Sequence, residues 1–241
     1  MEITPRIRRI GTGVMNSYLI EADDAVTIVD AGAPSFYGDL PAELAAMGRT
    51  IEDVRAVVLT HGHADHIGFA EKIRRERGTP ILVEELDAAL ARGEVPNPAK
   101  GLGPFRIRPL TSFLVYSLLH GALRVPRIAE VSTFGDGATL DVPGSPRVIL
   151  LPGHTPGSAA LHFAAHDALL VGDAIATYAV TTGIHQPMIA PFTADPAEAL
   201  ASLARLEGLE AGFLLPGHGQ AWTRGVAAAL AEVRAGTAAK G

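Results

Sequence analysis

The amino-acid sequence predicts an α/β fold in which helices cover β-sheets. Short apolar runs dominate the middle of the chain and are bounded by glycine and proline, as is typical of strands. Amphipathic and alanine-rich segments typical of helices flank these runs. A chain of 241 residues that is 48% hydrophobic can bury the core that such layers need. We therefore expect one domain that spans residues 1–241.

Strands are predicted where a short apolar, often β-branched run ends at a turn signal. Residues 17–21 and 25–30 are joined by Ala22-Asp23-Asp24, which predicts a β-hairpin. Residues 54–59 are apolar almost throughout, as expected of a strand covered on both faces. The remaining predicted strands span residues 81–83, 129–133, 139–142, 148–151, 159–163, 168–171 and 213–215.

Helices are predicted from amphipathic spacing and from their end signals. Asp39 is expected to cap the first helix, and Asp195 a later one. Residues 67–77 place apolar side chains on one face and charged ones on the other, as far as Gly78, which predicts a single amphipathic helix. The predicted helices span residues 39–47, 67–77, 85–92, 112–119, 196–206 and 221–234.

Three predicted strands have a histidine at or just after their carboxyl ends. One strand ends in Leu-Thr-His at His61, and two others end in Leu-Pro-Gly-His at His154 and His218. A fourth strand ends in Val-Gly-Asp at Asp173, whose carboxylate is able to bridge two cations. Each feature alone is common in loops, but together they predict a shared site.

The segment THGHADH at residues 60–66 is the densest part of this pattern. His61 and His63 are two residues apart, so the backbone can direct both side chains to one point. Asp65 and His66 follow where a helix is predicted to begin, and can point to a second position nearby. The chain has no cysteine, so any metal must bind through nitrogen and oxygen. Imidazole and carboxylate are ligands that Zn²⁺, iron and manganese accept.

Composition narrows the possible functions. The formal net charge of −6 opposes general nucleic-acid binding, which needs a basic surface. No run approaches the roughly 20 apolar residues that span a bilayer. Residues 1–13 contain no apolar run typical of an export signal. We therefore expect a cytoplasmic protein that acts on a small-molecule substrate.

The segments THGHADH, LPGHTPGS, VGDA and LPGHG, in this order, resemble the motifs of the metallo-β-lactamase-fold hydrolase superfamily. The resemblance extends from about Asn16 to about Gly219 and implies a four-layer αββα sandwich with mixed β-sheets and a site at one edge. It also implies two divalent metal ions, zinc or else iron or manganese, and marks Asp30 as a residue that supports the ligands. The metal ligands that it implies are His61, His63 and His154 for one cation and Asp65, His66 and His218 for the other, with Asp173 bridging both.

The resemblance implies a binuclear hydrolase of a small ester, thioester or lactone, in which Asp65 and Asp173 are the catalytic carboxylates. Quorum-signal lactonases share this ligand set, although the tyrosine characteristic of them corresponds only loosely to Tyr178. Two alternatives stay open. One is an oxidoreductase similar to persulfide dioxygenases, with a single iron. The other is a β-lactamase of the type that needs no cysteine.

The segment 95–129 is predicted to be an insert that influences substrate choice. It contains five basic residues and no acidic one, between apolar side chains that include Phe113 and Tyr116. Tyr178 and His185 follow the predicted bridging aspartate, and we expect these four side chains to contact substrate. The insert itself has four possible roles, as a lid over the site, a homodimer contact, a membrane-surface patch, or a loop that packs on the sandwich.

Overall fold

The computed structural model describes residues 1–99 and 101–238, in which eleven strands form two sheets. The first sheet contains β1 (Glu2–Thr4), β2 (Ile7–Ile10), β3 (Ser17–Ala22), β4 (Ala25–Val29), β5 (Val54–Val58), β6 (Ile81–Glu84) and β7 (Ser132–Phe134), paired in that order. The second contains β8 (Arg147–Leu150), β9 (Ala159–Phe163), β10 (Ala168–Gly172) and β11 (Phe213–Pro216). Both sheets are mixed, because parallel and antiparallel pairs occur in each.

Helices lie between and after the strands. The α-helices are α1 (Leu40–Ala45), α2 (Ala64–Ile67), α3 (Ala70–Arg77), α4 (Ala88–Ala91), α5 (Ile107–Leu119), α6 (Pro196–Ser202) and α7 (Val226–Ala238). Short 3₁₀ helices span Pro34–Gly38, Ile51–Asp53, Glu85–Asp87, Ala164–His166 and Leu203–Leu206. Helices that alternate with strands along the chain can turn their apolar faces back to cover a sheet.

The layers follow from the alternation of side chains along each strand. In β3, Tyr18 and Ile20 point into a core between the two sheets, where they share a cluster with Phe163 of β9. The intervening Leu19 points to the other face and packs with Leu40 of α1. The outer face of the second sheet packs in the same way on α7 and the residues around α6. The order helix, sheet, sheet, helix confirms the αββα sandwich.

Strand direction brings the functional loops to one edge. In the first sheet β4, β5 and β6 are parallel neighbours. In the second sheet β8 and β10 are both antiparallel to β9, and β11 is parallel to β10, so these three strands point the same way. The residues that follow their carboxyl ends include Asp30, His61, Asp87, His154, Asp173 and His218.

The helix predicted over 67–77 is interrupted, which corrects the sequence-based expectation. It divides into α2 and α3, and α3 ends at Gly78 as predicted. Gly68 lies at the break, where its N–H donates to the carbonyl of Gly32 at 2.9 Å. A Cβ atom on Gly68 would collide with that carbonyl. The close approach of two backbones, which needs a glycine, therefore ends α2 early.

Other element boundaries also differ from the predictions. Residues 139–142 form no strand, because only Thr139 makes a bridge there. The strand predicted over 129–133 is displaced to β7. Helix α5 begins before 112, because Pro109 fits the first turn of a helix, where no N–H is needed. Asp195 caps α6 as predicted, whereas the Asp39 side chain makes no capping hydrogen bond.

The insert forms an exposed helix beside the site. The outward face of α5 exposes large apolar side chains, among them Ile107, Leu118 and Leu119. Its other face packs Phe113 and Tyr116 against the core of the first sheet. One basic residue of the insert, Lys100, lies outside the described residues. No helix in the described part of the chain has the length and apolar character needed to cross a membrane.

Candidate metal centre

Three histidine rings converge at the edge of the sandwich. The centroids of His61, His63 and His154 form a triangle in which each pair is 4.7 Å apart. All three side chains are buried, and each offers a nitrogen within 4.8 Å of the other two. His61 and His63 come from the loop after β5, and His154 from the loop after β8. Each sheet thus contributes to a group with the spacing of three ligands around one cation.

A second group lies next to the first. Asp65, His66 and His218 also offer ligand atoms within 4.8 Å of one another. Asp173 lies between the two groups, since its Oδ2 is 3.4 Å from His154 Nε2 and 3.2 Å from His218 Nε2. The structure therefore brings together all seven residues that the sequence predicted as ligands, and it places Asp173 where a shared ligand would be needed.

Hydrogen bonds to Nδ1, on the side away from the cluster, orient the rings of His61 and His66. Asp30 Oδ2 is 2.8 Å from His66 Nδ1, and Asp30 also accepts from the N–H and hydroxyl of Thr60. The Thr60 hydroxyl lies 3.1 Å from His61 Nδ1. With its Nδ1 occupied in this way, each ring directs Nε2 toward the cluster. Asp30 lies where the sequence expected it, and it acts through His66 and Thr60.

His154 and His218 are oriented in the same way, by a hydrogen bond at Nδ1. His154 Nδ1 is 3.0 Å from the hydroxyl of Thr193, which in turn donates to the carbonyl of Ala190. His218 Nδ1 donates to the carbonyl of Val14. These contacts fix which nitrogen of each ring remains for a ligand. The chain segments that supply them, around Val14 and around 190–193, are therefore part of the site.

Asp87 is a residue of the site that sequence reasoning missed. It is fully buried, and its carboxylate accepts from the N–H of Gly62, the hydroxyl of Thr155 and the N–H of Gly157 at 2.7–2.8 Å. Gly62 lies between His61 and His63, so Asp87 joins the loop after β5 to the loop after β8. Its position just beyond a third parallel strand was the signal that could have identified it. In the sequence, Asp87 falls within residues 85–92, which predict only a short helix.

The two groups differ in charge. Burial lowers the pKa of His154 to about 3 and, together with the neighbouring imidazoles, lowers that of His61 well below its usual value. Burial also opposes the charged form of His218, but the carboxylates of Asp173 and Asp65 outweigh it and raise the pKa to about 10. The first group thus presents neutral imidazoles, whereas the second is an environment that favours positive charge.

Buried polar atoms without hydrogen-bond partners indicate whether cations fit this site. His61 Nε2, His63 Nε2, His66 Nε2 and Asp173 Oδ1 are buried and have no hydrogen-bond partner among the described residues. Buried polar atoms are rarely left unpaired, because each loses its interaction with water without a replacement. Here all four belong to residues of one cluster, in which His63 Nδ1 lies 2.9 Å from His154 Nε2. The donors of this cluster are nitrogen and carboxylate oxygen, the ligand types of zinc, iron and manganese. The residues fit a pair of divalent metal ions.

A cavity of about 190 Å³ opens onto the cluster. His63, Asp65, His154, Asp173 and His218 form its polar side. Its apolar side consists of Met15, Ala64, Phe113, Leu114, Ala122, Leu123 and Phe192. Four of these seven apolar residues belong to the insert. Phe113 therefore lies where a substrate contact was predicted.

The other three predicted substrate contacts lie elsewhere. The Tyr116 hydroxyl is 3.3 Å from that of Thr12, and its ring packs on His120. Tyr178 and His185 stack with ring centroids 4.6 Å apart and line a separate cavity of about 150 Å³. None of the three lines the cavity at the histidine cluster. The N–H of Thr177 donates to the carbonyl of His218 at 2.9 Å, and Tyr178 lines its cavity with Gly219 and Gln220. A position close after Asp173 in sequence therefore did not bring the Tyr178 ring to the cavity over the cluster.

Known proteins share both this sequence pattern and this fold. A family model described as the metallo-β-lactamase superfamily matches residues 10–218. The chain is 27% identical over 219 residues to the probable metallo-hydrolase YflN of Bacillus subtilis strain 168, covering 86% of this chain and 81% of that protein. It is also 27% identical to the probable metallo-hydrolase YybB of the same organism, with the same coverage.

A solved structure agrees with these relatives. The metallo-β-lactamase family protein TTHA1429 from Thermus thermophilus superposes with a TM-score of 0.69 at 25% identity, covering 99% of this chain and 81% of that chain. The histidine and aspartate cluster and the family together support a metal-dependent hydrolase that uses divalent cations. The chain belongs to the metallo-β-lactamase superfamily.

Proposed function

We propose that this protein is a binuclear metal-dependent hydrolase of a small ester, thioester or lactone. The observation that carries the proposal is the set of buried, unpaired nitrogens and carboxylate oxygen that converge beneath the cavity. His61, His63 and His154 would hold one cation, and Asp65, His66 and His218 the other. Asp173, which lies between the groups, would be shared.

The reaction adds water to the carbonyl carbon and breaks the bond to the leaving oxygen or sulfur, giving a carboxylic acid and an alcohol or thiol. When bound, a pair of divalent cations lowers the pKa of water toward about 7 and polarises the bond under attack. Asp65 and Asp173 present acceptor oxygens at the cavity wall and would orient the attacking water molecule. Phe113, Leu114 and Phe192 line the other side, where the apolar part of a bound substrate would displace water.

The cavity favours a small molecule with an apolar part. Its non-ligand lining is apolar apart from Asn97 and Ser117, so a charged leaving group would find no cationic side chain there. The negative net charge of the chain likewise opposes a nucleic-acid substrate. An ester, thioester or lactone combines a bond that metal ions can polarise with an apolar remainder.

Metal analysis of freshly purified protein, run beside hydrolysis assays, tests this proposal. The assay panel contains simple esters, thioesters, acyl lactones and a chromogenic β-lactam. We expect about two metal ions per chain, in line with the two-cation arrangement, and turnover of an ester, thioester or lactone. A single iron per chain without hydrolysis would instead favour the oxidoreductase similar to persulfide dioxygenases, and turnover of the β-lactam alone would favour a β-lactamase.

The variant His63→Ala sharpens this test. It removes one of the three converging imidazole rings, so we expect hydrolysis to be abolished and metal content to fall. His162→Ala is the matched control, because His162 lies on β9 and lines a different cavity on the second sheet. Unchanged hydrolysis in His63→Ala would refute the assignment of the site.

A further inference from the structure

A second apolar cavity adjoins the metal centre. It has a volume of about 270 Å³, compared with about 190 Å³ for the cavity over the histidine cluster. Phe192 lines both cavities, and no other described residue does so. We call the second cavity the side chamber. Its lining residues are Gly101–Pro104, Ala179, Thr181, Thr182, Ile184, Met188–Thr193 and Pro196.

The side chamber is built for an apolar occupant. Its lining contains no charged side chain, and its polar side chains are threonines. The insert closes one wall with Leu102 and Pro104, and the N–H of Arg106 donates to the carbonyl of Thr181 at 2.8 Å, which ties the insert to the opposite wall. A polar ligand would lose hydrogen bonds to water on entering, whereas an alkyl group would gain free energy from burial.

Phe192 separates the two cavities in a strained conformation. Its φ angle is +61°, in the left-handed region that bulky residues seldom adopt. Its ring packs against Phe113, with centroids 6.1 Å apart. The next two residues pin the backbone, because Thr193 contacts His154 Nδ1 and the N–H of Ala194 donates to the His154 carbonyl. An aromatic residue kept in such a conformation beside a site commonly has a functional role.

We propose that Phe192 is a partition that limits the length of the alkyl group on the substrate. The substrate would be an ester, thioester or lactone whose reacting bond lies at the metal centre and whose flexible alkyl group extends toward Phe192. Short groups fit on the near side, and longer ones meet the ring. This inference rests on the proposed hydrolase function, and it assigns to Phe192 a role in specificity.

A chain-length series tests the partition. For the zinc-loaded protein, kcat/KM is measured on straight-chain p-nitrophenyl esters of increasing acyl length. We expect kcat/KM to rise about fourfold for each methylene that is buried, and then to stop rising where the chain meets Phe192. In Phe192→Gly, whose backbone accepts a positive φ, the rise should continue through several further methylenes. In Phe192→Trp the break should come no later than in the parent protein.

Binding and control measurements separate this inference from the proposed function. The affinity for the corresponding straight-chain carboxylates is measured by calorimetry. In the parent protein it should stop rising at the same chain length as kcat/KM, and in Phe192→Gly it should continue to rise to longer chains. Metal content of that variant should be unchanged. Ser145→Gly, a second residue with positive φ but exposed and remote from both cavities, is the backbone control and should keep the parent profile.

The outcomes are distinct. The same break in the parent protein and in Phe192→Gly, or a parent profile with no break, would overturn the partition. If the zinc-loaded protein hydrolyses none of these esters and none of the thioesters and acyl lactones in the assay panel, the proposed function fails. The calorimetric series then decides the partition by itself, because it requires no turnover.

Discussion

The edge of the sandwich and the insert at 95–129 meet at one cavity but are built in opposite ways. At the sheet edge, every predicted ligand except the partly exposed Asp65 is buried, and carboxylates such as Asp30 and Asp87 fix the loops from behind. In the insert, helix α5 exposes much of its apolar surface and touches the cavity with one face. This difference indicates that the chemistry depends on the rigid edge, whereas the insert and the adjoining loop shape the space for the substrate.

Among variants that keep every predicted ligand, the largest effect should come from filling the space at the rigid edge. Gly217 precedes His218, and a Cβ atom there would collide with Asp173 Oδ1 and with the His66 ring. In Gly217→Ala we therefore expect loss of the second cation and a decrease in kcat of about 10²-fold, the cost of misplacing reacting groups by about 1 Å. Metal analysis and steady-state kinetics measure both.

The control for this variant is Gly135→Ala, where an added methyl group meets no atom within 4 Å and the φ angle needs no glycine. If Gly217→Ala kept two cations and normal turnover, the close packing of Gly217 against Asp173 and His66 would be contradicted.

A smaller effect is expected at Asp87, which joins two ligand-bearing loops. The Asp87 carboxylate accepts hydrogen bonds from three donors. In Asp87→Asn, the amide NH₂ group must face at least one of these donors and cannot accept a hydrogen bond from it. The unsatisfied buried donor should cost about 1–3 kcal/mol of folding free energy. Metal affinity should fall about 10- to 100-fold, as is typical for residues that orient ligands. Denaturation midpoints and competition with a chelator measure the two effects.

The exposed turn residue Asp23 offers the matched control, because Asp23→Asn makes the same chemical change where Asn also tolerates a positive φ. If Asp87→Asn behaved like Asp23→Asn, the loops would not depend on that carboxylate.

The smallest effect should come from the insert, where two positions on α5 can be compared directly. Phe113 lines the cavity, while Leu118 lies on the outward face and is 64% exposed. Phe113→Ala should change KM for the preferred substrate about two- to tenfold, in line with about 0.5–1.5 kcal/mol for an aromatic contact. Its metal content should stay the same. Leu118→Ala should change neither quantity, and loss of metal in Phe113→Ala would contradict the separation of roles.

Much of the fold could be predicted because its signals are local. The turn Ala22-Asp23-Asp24 does join a hairpin, and both aspartates have positive φ angles, as a two-residue type I′ hairpin turn requires. The break at Gly68 could not be predicted, because it depends on Gly32, a residue 36 positions earlier in the chain. Amphipathic spacing continues across residues 67–77 and gives no sign of that contact.

The substrate contacts were harder to predict than the metal ligands. Phe113 lies in the cavity, but Tyr178 and His185 line another, since closeness in sequence to Asp173 says little once a loop leaves the sheet. Phe192 was not among the predicted substrate contacts. Its role depends on a φ angle and on two cavities, neither of which has a sequence signature.

The sequence by itself determined the donor atoms and the strand ends that carry them, because residue type and the end of a strand are encoded within a few neighbouring residues. Tertiary structure alone decided what supports and bounds the site. Asp87 joins two loops, and Phe192 lines two cavities, through contacts between segments that are far apart along the chain. Such contacts depend on how the layers pack, which no local pattern specifies.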